Sequence, residues 1–318
     1  MVLNWIYSCF KPVHSEKPYI HDFCTYPLPK INSLPAELLA QIFQYSVDTS
    51  IIHAEDLLVV CKYWYQVTLE SSGLWHHINL YNRAVRRYRT PTAYVRVYTR
   101  HSRSHSLRVR LRLASWEPDS VAICKAVAPT IHRWTEADIS IIGEDYIYAG
   151  YKFLHAPAPA LHTLRVSIFS SFKEKLDLTH LFTNTRSLTN LRVGRAAAYV
   201  PVITFPEVYG STVKYLELEK FPGVSAFPII NQLPRIVHLC LIEYTTVRDT
   251  PSGHISLPFL RTLDFIPVQS RELMQFLDQV SMPNLGVAHL SKLFANSQAN
   301  EAVLSRLAAE GCTIVIDE

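Results

Sequence analysis

No uninterrupted apolar stretch near 18 residues occurs in the 318-residue chain, so no segment reads as a membrane-spanning helix. The six cysteines, Cys9, Cys24, Cys61, Cys124, Cys240 and Cys312, contain no CxxC pair. In a chain of this size that spacing argues against a stapled scaffold or a zinc cluster and for reduced, mostly buried thiols of the cytosol or nucleus. The start, "MVLNWIYSCFKP", lacks the basic flank and small-residue cleavage site of a secretory signal. GxSxG, Walker and HExxH motifs are absent as well. "GVSAF" from Gly223 lacks the second glycine of a nucleophile elbow, which leaves Ser225 as a loop serine. Cys61 lies in an apolar helical stripe, where its thiol pKa would be raised and its reactivity low. These absences point away from an enzyme, and no cofactor or metal is implied.

Acidic residues and lysine are missing from one window. Between Ser71 and Trp116 stand ten arginines and no Asp, Glu or Lys, a local +10 in a chain of net charge +4. Everything outside that window therefore carries −6. The stretch from Arg83 to Arg112 interleaves arginine with tyrosine, as a surface that tracks phosphates and stacks bases would. However, Arg108, Arg110 and Arg112 alternate with Leu107, Val109, Leu111 and Leu113, the pattern of one strand with a solvated face. Tyr94 and Tyr98 share a helical stripe and read as core. An acidic or phosphorylated protein partner is the third reading of the same arginines. His101 and His105 are four apart, but the arginines around them would repel a cation and no further ligand follows. Of His76 and His77, one ring is expected beside Trp75 and the other in solvent.

Apolar residues make up 48% and charged residues 18%, ordinary for a globular protein of one large or two smaller domains. Residues 1–30 hold four prolines and no clear period, and read as an irregular segment. From there Leu34, Leu38, Ile42 and Phe43 fall on one helical stripe, with Pro35 suited to a first turn and Glu37 near the positive helix end. A second helical pattern runs through Leu57, Leu58, Cys61, Trp64, Tyr65 and Leu69 until Gly73 breaks it. A unit this small cannot bury all its large side chains internally, so an apolar stripe is left for something else to cover.

Beyond Trp116 six segments look alike: "LHTLRV", "LTNLRV", "VKYLEL", "IVHLCL", "LRTLDF" and, more weakly, "LGVAHL". They begin at Leu161, Leu188, Val213, Ile236, Leu260 and Leu285, at intervals of 27, 25, 23, 24 and 25 residues. The shared L-x-x-L-x-L at this period marks a leucine-rich-repeat type of solenoid with a parallel sheet. The fourth and sixth positions should face the core and the third and fifth should face out. "LRVRLRL" from Leu107 and "IHRWTEADISI" from Ile131 extend the series less clearly. "KLDLTHLFTNT" and "SRELMQFLDQV" have helical spacing, with Ser270 a plausible N-cap. "NEAVLSRLAAEGCTIVIDE" reads as a helix, a left-handed stop at Gly311 and a last strand. Where regular repeats place Asn or Cys at the ninth position, this chain has Phe169, Ala196, Phe221, Tyr244 and Val268, so an irregular solenoid with apolar wedges is expected.

The segment "INSLPAELLAQIF…DLLVVCKYWYQVTLESSGLWHHINLY" resembles the F-box family. The matching positions are Leu34, Pro35, Glu37, Leu38, Ile42, Phe43, Leu57, Leu58, Val60, Cys61, Trp64, Leu74 and Trp75, within residues 31–80. The arginine-rich stretch followed by "HRW" is similar to the large fungal group of such proteins. The repeat period and this resemblance together give an α/β chain with a short helical module at 31–80 and an irregular leucine-rich solenoid at 81–318. The resemblance also implies a substrate-recognition adaptor of a cullin–RING ubiquitin ligase. The Skp-type linker would be met by Leu34, Pro35, Leu38, Ile42, Phe43, Leu57, Leu58 and Trp64. An unknown protein substrate would lie on outward positions of the solenoid, among them Arg108, Arg110, Arg165, Arg192, Tyr215, Glu217, His238 and Asp264. A nucleic-acid-binding protein using residues 83–112, or a leucine-rich scaffold outside any ligase, are the alternatives.

Overall fold

The computed structural model describes residues 30–49, 52–80, 90–114, 119–142, 152–169, 176–195, 203–245, 254–267, 271–291, 301–309 and 311–317. A 3-10 turn (Lys30–Ser33) precedes helices α1 (Ala36–Asp48), α2 (Ala54–Leu57) and α3 (Lys62–Glu70). A second 3-10 turn (Ser72–Trp75) leads into strand β1 (His77–Asn79), then α4 (Pro91–His101), β2 (Leu107–Ala114) and α5 (Asp119–Val127). Next come β3 (Trp134–Ile142), β4 (Thr163–Ile168), β5 (Leu176–Asp177), β6 (Asn190–Arg195), β7 (Ile203–Thr204), α6 (Glu207–Thr212) and β8 (Tyr215–Glu219). The chain continues through α7 (Gly223–Asn231), β9 (His238–Tyr244), β10 (Ile255–Ser256), β11 (Thr262–Pro267) and α8 (Arg271–Gln279). It closes with β12 (Val280–Ser281), β13 (Val287–Ser291), α9 (Glu301–Ala309) and β14 (Thr313–Asp317). Among the described residues no helix is long and apolar enough to cross a membrane.

Among the described residues ten strands form one parallel sheet in the order β1-β2-β3-β4-β6-β8-β9-β11-β13-β14, so neighbours in the sheet follow one another in chain order. Two short parallel ladders, β5–β7 and β10–β12, lie outside it. Alternation explains the order. One core row runs through Leu111, Ile139, Val166, Val193, Leu218, Leu241, Phe265 and Leu290, one residue per strand. Each is at most 1% exposed. A parallel row passes through Val109, Ala137, Leu164, Leu191, Leu216, Leu239, Leu263 and Ala288. Burying such a side chain stabilises by roughly 1.5–3 kcal/mol, which no single strand could secure without its neighbours.

Backbone hydrogen bonds repeat with the same step. The carbonyl just before a strand accepts two N–H groups from the next: His162 from Thr189 and Asn190, Thr189 from Lys214 and Tyr215, Lys214 from Val237 and His238. Val237 does likewise with Arg261 and Thr262, and Arg261 with Gly286 and Val287. The pattern changes at the end, where Thr313 donates to Gly286 but the Cys312 N–H turns back to Leu307 of α9.

Several expectations need correction. "KLDLTHLFTNT" contains the strand β5 and turns rather than a helix. Its Leu176, Leu178, Leu181 and Phe182 are buried, so the apolar spacing reports a filled core and not a helical face. Ser225 lies inside α7, not in a loop. The second helical pattern is split: α2 ends at Leu57 and α3 begins at Lys62, with extended Cys61 as its N-cap. At the ninth positions, Phe221 and Tyr244 are buried wedges, each following a residue at positive φ, Lys220 (63°) and Glu243 (51°). Phe169 is instead exposed, and Ala196, Val268 and the N-cap Ser270 lie outside the described residues, as does most of segment 1–30. The C-terminal reading holds: Gly311 has φ +79°, and its N–H donates to Ala308.

Candidate partner-docking surfaces

Helix α1 carries apolar residues on two sides, and packing assigns them different work. Leu39, Phe43 and Val47, spaced i, i+4, i+8, are buried against the rest of the N-terminal helices. The Phe43 ring lies 4.5 Å from that of Trp64. Trp64 donates through Nε1 to Asn32 Oδ1 at 2.6 Å, and Tyr63 through its hydroxyl to the Leu34 carbonyl at 2.8 Å. These two bonds fix the chain entering α1 at Leu34 and Pro35. On the other side Leu38, Ile42 and Tyr45 are 47%, 43% and 70% exposed. Their i, i+4, i+7 spacing lines them along one stripe. Val59 and Val60, in the turn between α2 and α3, are also exposed.

The expected partner-facing set is therefore divided. Leu38 and Ile42 are exposed, and so is Pro35; Leu34, Leu58 and Trp64 are half-buried. Phe43 and Leu57 are each 2% exposed and belong to the interior, which removes them as contact residues. Tyr45, outside the expected set, continues the Leu38–Ile42 spacing and is exposed.

This helical unit is fastened to the sheet. Trp75 is buried, donates to the Thr68 carbonyl at 2.9 Å, and packs edge-on against Tyr98 of α4 at 5.2 Å. His101, rather than His76 or His77, is the ring beside this tryptophan, at 4.7 Å. His76 Nε2 sits 3.2 Å from Asp48 Oδ1. Burial, with His76 and Arg110 nearby, pulls the His77 pKa down to about 4. Tyr98 donates its hydroxyl to Glu55 Oε2. Glu55 is buried, and that burial holds its pKa above the ordinary carboxylate value. Its Oε1 has no hydrogen-bond partner.

The second surface is the open face of the sheet. Its central row runs Asn79, Arg110, Asp138, Arg165, Arg192, Glu217, Cys240, Asp264, His289 and Val315. Beside it lie Arg108, Glu136, Thr163, Asn190, Tyr215, His238 and Thr262. All eight sequence-chosen residues, Arg108, Arg110, Arg165, Arg192, Tyr215, Glu217, His238 and Asp264, share this face. They are not free charges. Arg108 meets Glu136 at 3.2 Å, Arg110 meets Asp138 at 2.9 Å, and Arg165 meets Glu219 at 3.7 Å. Arg192 lies 3.5 Å from Glu217 and over the Tyr215 ring at 5.6 Å. Tyr215 donates to Glu217 at 2.9 Å, and His238 Nε2 approaches Asp264 at 2.6 Å. Partly exposed pairs of this sort contribute little stability each, roughly 0–1 kcal/mol. What they do is hold long side chains in fixed poses. Cys240 sits beneath them, and burial together with Asp264 and Glu217 pushes its thiol up to about 12, far from a nucleophilic thiolate. Among the described residues no group of three or more His, Cys, Asp and Glu could hold a metal ion.

Two of the ten arginines in the window, Arg108 and Arg110, are held in these ion pairs. Beyond the window, Arg133 donates to the His105 carbonyl at 2.6 Å. Residues 81–89, with four of the ten arginines, lie outside the described residues.

Residues 31–81 match the family model of the F-box-like domain. A search of the curated proteins gives no match. The F-box-like match ends where β1 has just joined the sheet, so the helical module and the first strand are one continuous piece.

Proposed function

We propose that this chain is the substrate-recognition subunit of a cullin–RING ubiquitin ligase. F-box-like domains point in general to such an adaptor role, and here the helices of residues 31–81 would dock a Skp-type linker. The observation that carries the reading is the stripe of Leu38, Ile42 and Tyr45, left exposed on a helix whose opposite side is fully packed. A stripe with i, i+4, i+7 anchors is the form a helix–groove contact takes. Leu34, Pro35 and Leu58 flank it; Trp64 and Phe43 support it from inside.

The sheet is read as an irregular leucine-rich-repeat solenoid of the layout seen in the fungal group. The recurring carbonyl that accepts two N–H groups and the unbroken apolar rows support that reading. A protein substrate would lie on the open face, against Arg165, Arg192, Tyr215, Glu217, His238 and Asp264, with Arg108 and Arg110 at one end. Pre-set ion pairs there favour a partner whose charges can join the existing network. The chain itself would make and break no covalent bond, and it would work in the cytosol or nucleus.

The test is affinity capture of a Skp-type linker by the full chain. Wild type is expected to bind and the Leu38→Asp/Ile42→Asp double variant to lose binding while melting at an unchanged temperature. Absence of binding by wild type, or equal binding by the double variant, overturns the proposal.

A further inference from the structure

Because the sheet is parallel, all its strands are entered along one edge, and that edge differs in charge from the open face. The seven strands from β2 to β11 in sheet order are entered through residues 102–106, 128–133, 158–162, 183–189, 213–214, 232–237 and 257–261. None of these segments contains Asp or Glu, yet each contains an exposed Arg, Lys or His. Five are full cations, Arg103, Arg186, Lys214, Arg235 and Arg261, and their +5 exceeds the +4 of the whole chain. His132 and His162 stand at the entrances of β3 and β4. Arg133 is the exception, since its guanidinium donates to the Ser102 and His105 carbonyls.

On the open face the arginines meet carboxylates, and at the opposite edge Lys220 lies 3.7 Å from Glu219 and 3.8 Å from Glu243. Among the described residues none of the five edge cations is in an ion pair. Like charges along one edge repel, and no carboxylate there relieves them. The row is also held in place. The carbonyls of His162, Lys214 and Arg261 each accept two N–H groups from the following strand, which fixes these residues at strand spacing. Arg186, Lys214, Arg235 and Arg261 enter four neighbouring strands, β6, β8, β9 and β11, and so span about 14 Å at three strand spacings. Two residues before Arg261, Phe259 is 54% exposed. Its turn is pinned by Asn284, which donates to the Pro258 carbonyl at 2.7 Å.

We infer that this edge binds single-stranded nucleic acid, with phosphates along Arg186, Lys214, Arg235 and Arg261 and a base stacked on Phe259. A row of one basic side chain per strand suits a single chain of charges. A membrane surface would call for a broader basic field with several apolar anchors. Phe259 is the one large apolar side chain exposed in these segments. An acidic polypeptide would match the charge but leave that ring unused, whereas every base has a π-face to lay on it. Four of the five cations are arginine, whose planar fork matches phosphate oxygens two at a time. Arg103 is the only one of the five from the arginine-rich window of the sequence. The edge shares no residue with the α1 stripe or with the ion-paired open face. Binding there is expected to tolerate any base sequence and to weaken steeply with salt.

The experiment uses the full chain and a fluorescently labelled oligouridylate of about 12 nucleotides, followed by anisotropy between about 50 and 200 mM salt. For wild type, log affinity against log salt is expected to fall with a slope of about −3, from four phosphate contacts. Lys214→Gln/Arg261→Gln should weaken binding at the lowest salt at least about ten-fold and make the slope shallower by about 1.4. Phe259→Ala should weaken it about five-fold or more with the slope unchanged. Lys125→Gln/Lys220→Gln removes the same charge from α5 and the opposite edge, and should stay within about two-fold of wild type. All variants should melt as wild type, since the side chains altered are exposed. Absence of binding by wild type, a slope unmoved by Lys214→Gln/Arg261→Gln, an unchanged affinity of Phe259→Ala, or an equal loss in the control variant overturns the inference. So does competition as strong from poly-glutamate or phosphatidylserine vesicles at equal anion concentration. No readout involves a linker, so failure here leaves the ligase reading untouched, and the reverse.

Discussion

Two adjacent residues of α1 give the sharpest prediction, because they are neighbours in sequence and opposites in environment. Phe43 is 2% exposed with its ring 4.5 Å from Trp64, and Phe→Ala at such a site removes the transfer free energy of the ring and leaves a cavity. The expected cost is ~3–5 kcal/mol, or a fall of about 6–10 °C in melting temperature for a chain this long. Ile42 is 43% exposed, so Ile42→Asp should change stability by less than ~1 kcal/mol. In the complex the order reverses. An aspartate buried without a partner in an apolar contact should cost at least ~2 kcal/mol, about a 30-fold loss of affinity for a Skp-type linker. Any Phe43→Ala protein that remains folded should bind nearly as wild type. Thermal denaturation and calorimetric titration on the same preparations separate the two effects. If Ile42→Asp melts like Phe43→Ala, or binds the linker undiminished, the division of α1 into a packed and a docking side is wrong.

Three further outcomes are expected. Gly210 lies in α6, where Gly→Ala normally stabilises by up to ~1 kcal/mol, but a Cβ there would sit 2.8 Å from the Gln232 backbone oxygen. Gly210→Ala should therefore destabilise, by ~1–3 kcal/mol in urea titration. Tyr98→Phe removes the hydroxyl that donates to buried Glu55 and leaves the carboxyl without that bond, for a loss of ~1–3 kcal/mol by the same assay. His77 is held neutral in the fold down to about pH 4, whereas the unfolded chain takes up a proton near its ordinary value of 6.5. The unfolded state thus binds more protons between those values, and the contribution is present above pH 6.5 and lost as pH falls towards 4. Between pH 7 and 5 the loss should be ~2 kcal/mol, and the stability difference between wild type and His77→Gln should move by that amount across the interval.

The L-x-x-L-x-L spacing was enough to place β4, β6, β8, β9, β11 and β13, because a period of two residues within a strand and about 25 between strands reports directly on burial. The arginine alternation in β2 was legible for the same reason. "KLDLTHLFTNT" was not, since a short apolar run looks alike whether it fills a core from a helix or from turns. Nor could the stripe of Leu34, Leu38, Ile42 and Phe43 be divided, because apolar residues on two sides of one helix look the same until a neighbour covers one of them.

The sequence by itself determined which residues are apolar, at what period, and so the parallel sheet and the short helical unit before it. Tertiary structure alone decided which greasy side chains stay in water, Leu38, Ile42 and Tyr45 among them. It also decided that Arg108, Arg110 and Arg192 would spend their charge on carboxylates about 25 residues away. The physical reason is that hydrophobicity and charge are properties of a residue, whereas burial and pairing are properties of its neighbours. Those neighbours come from other strands and helices and are fixed only when the chain has folded.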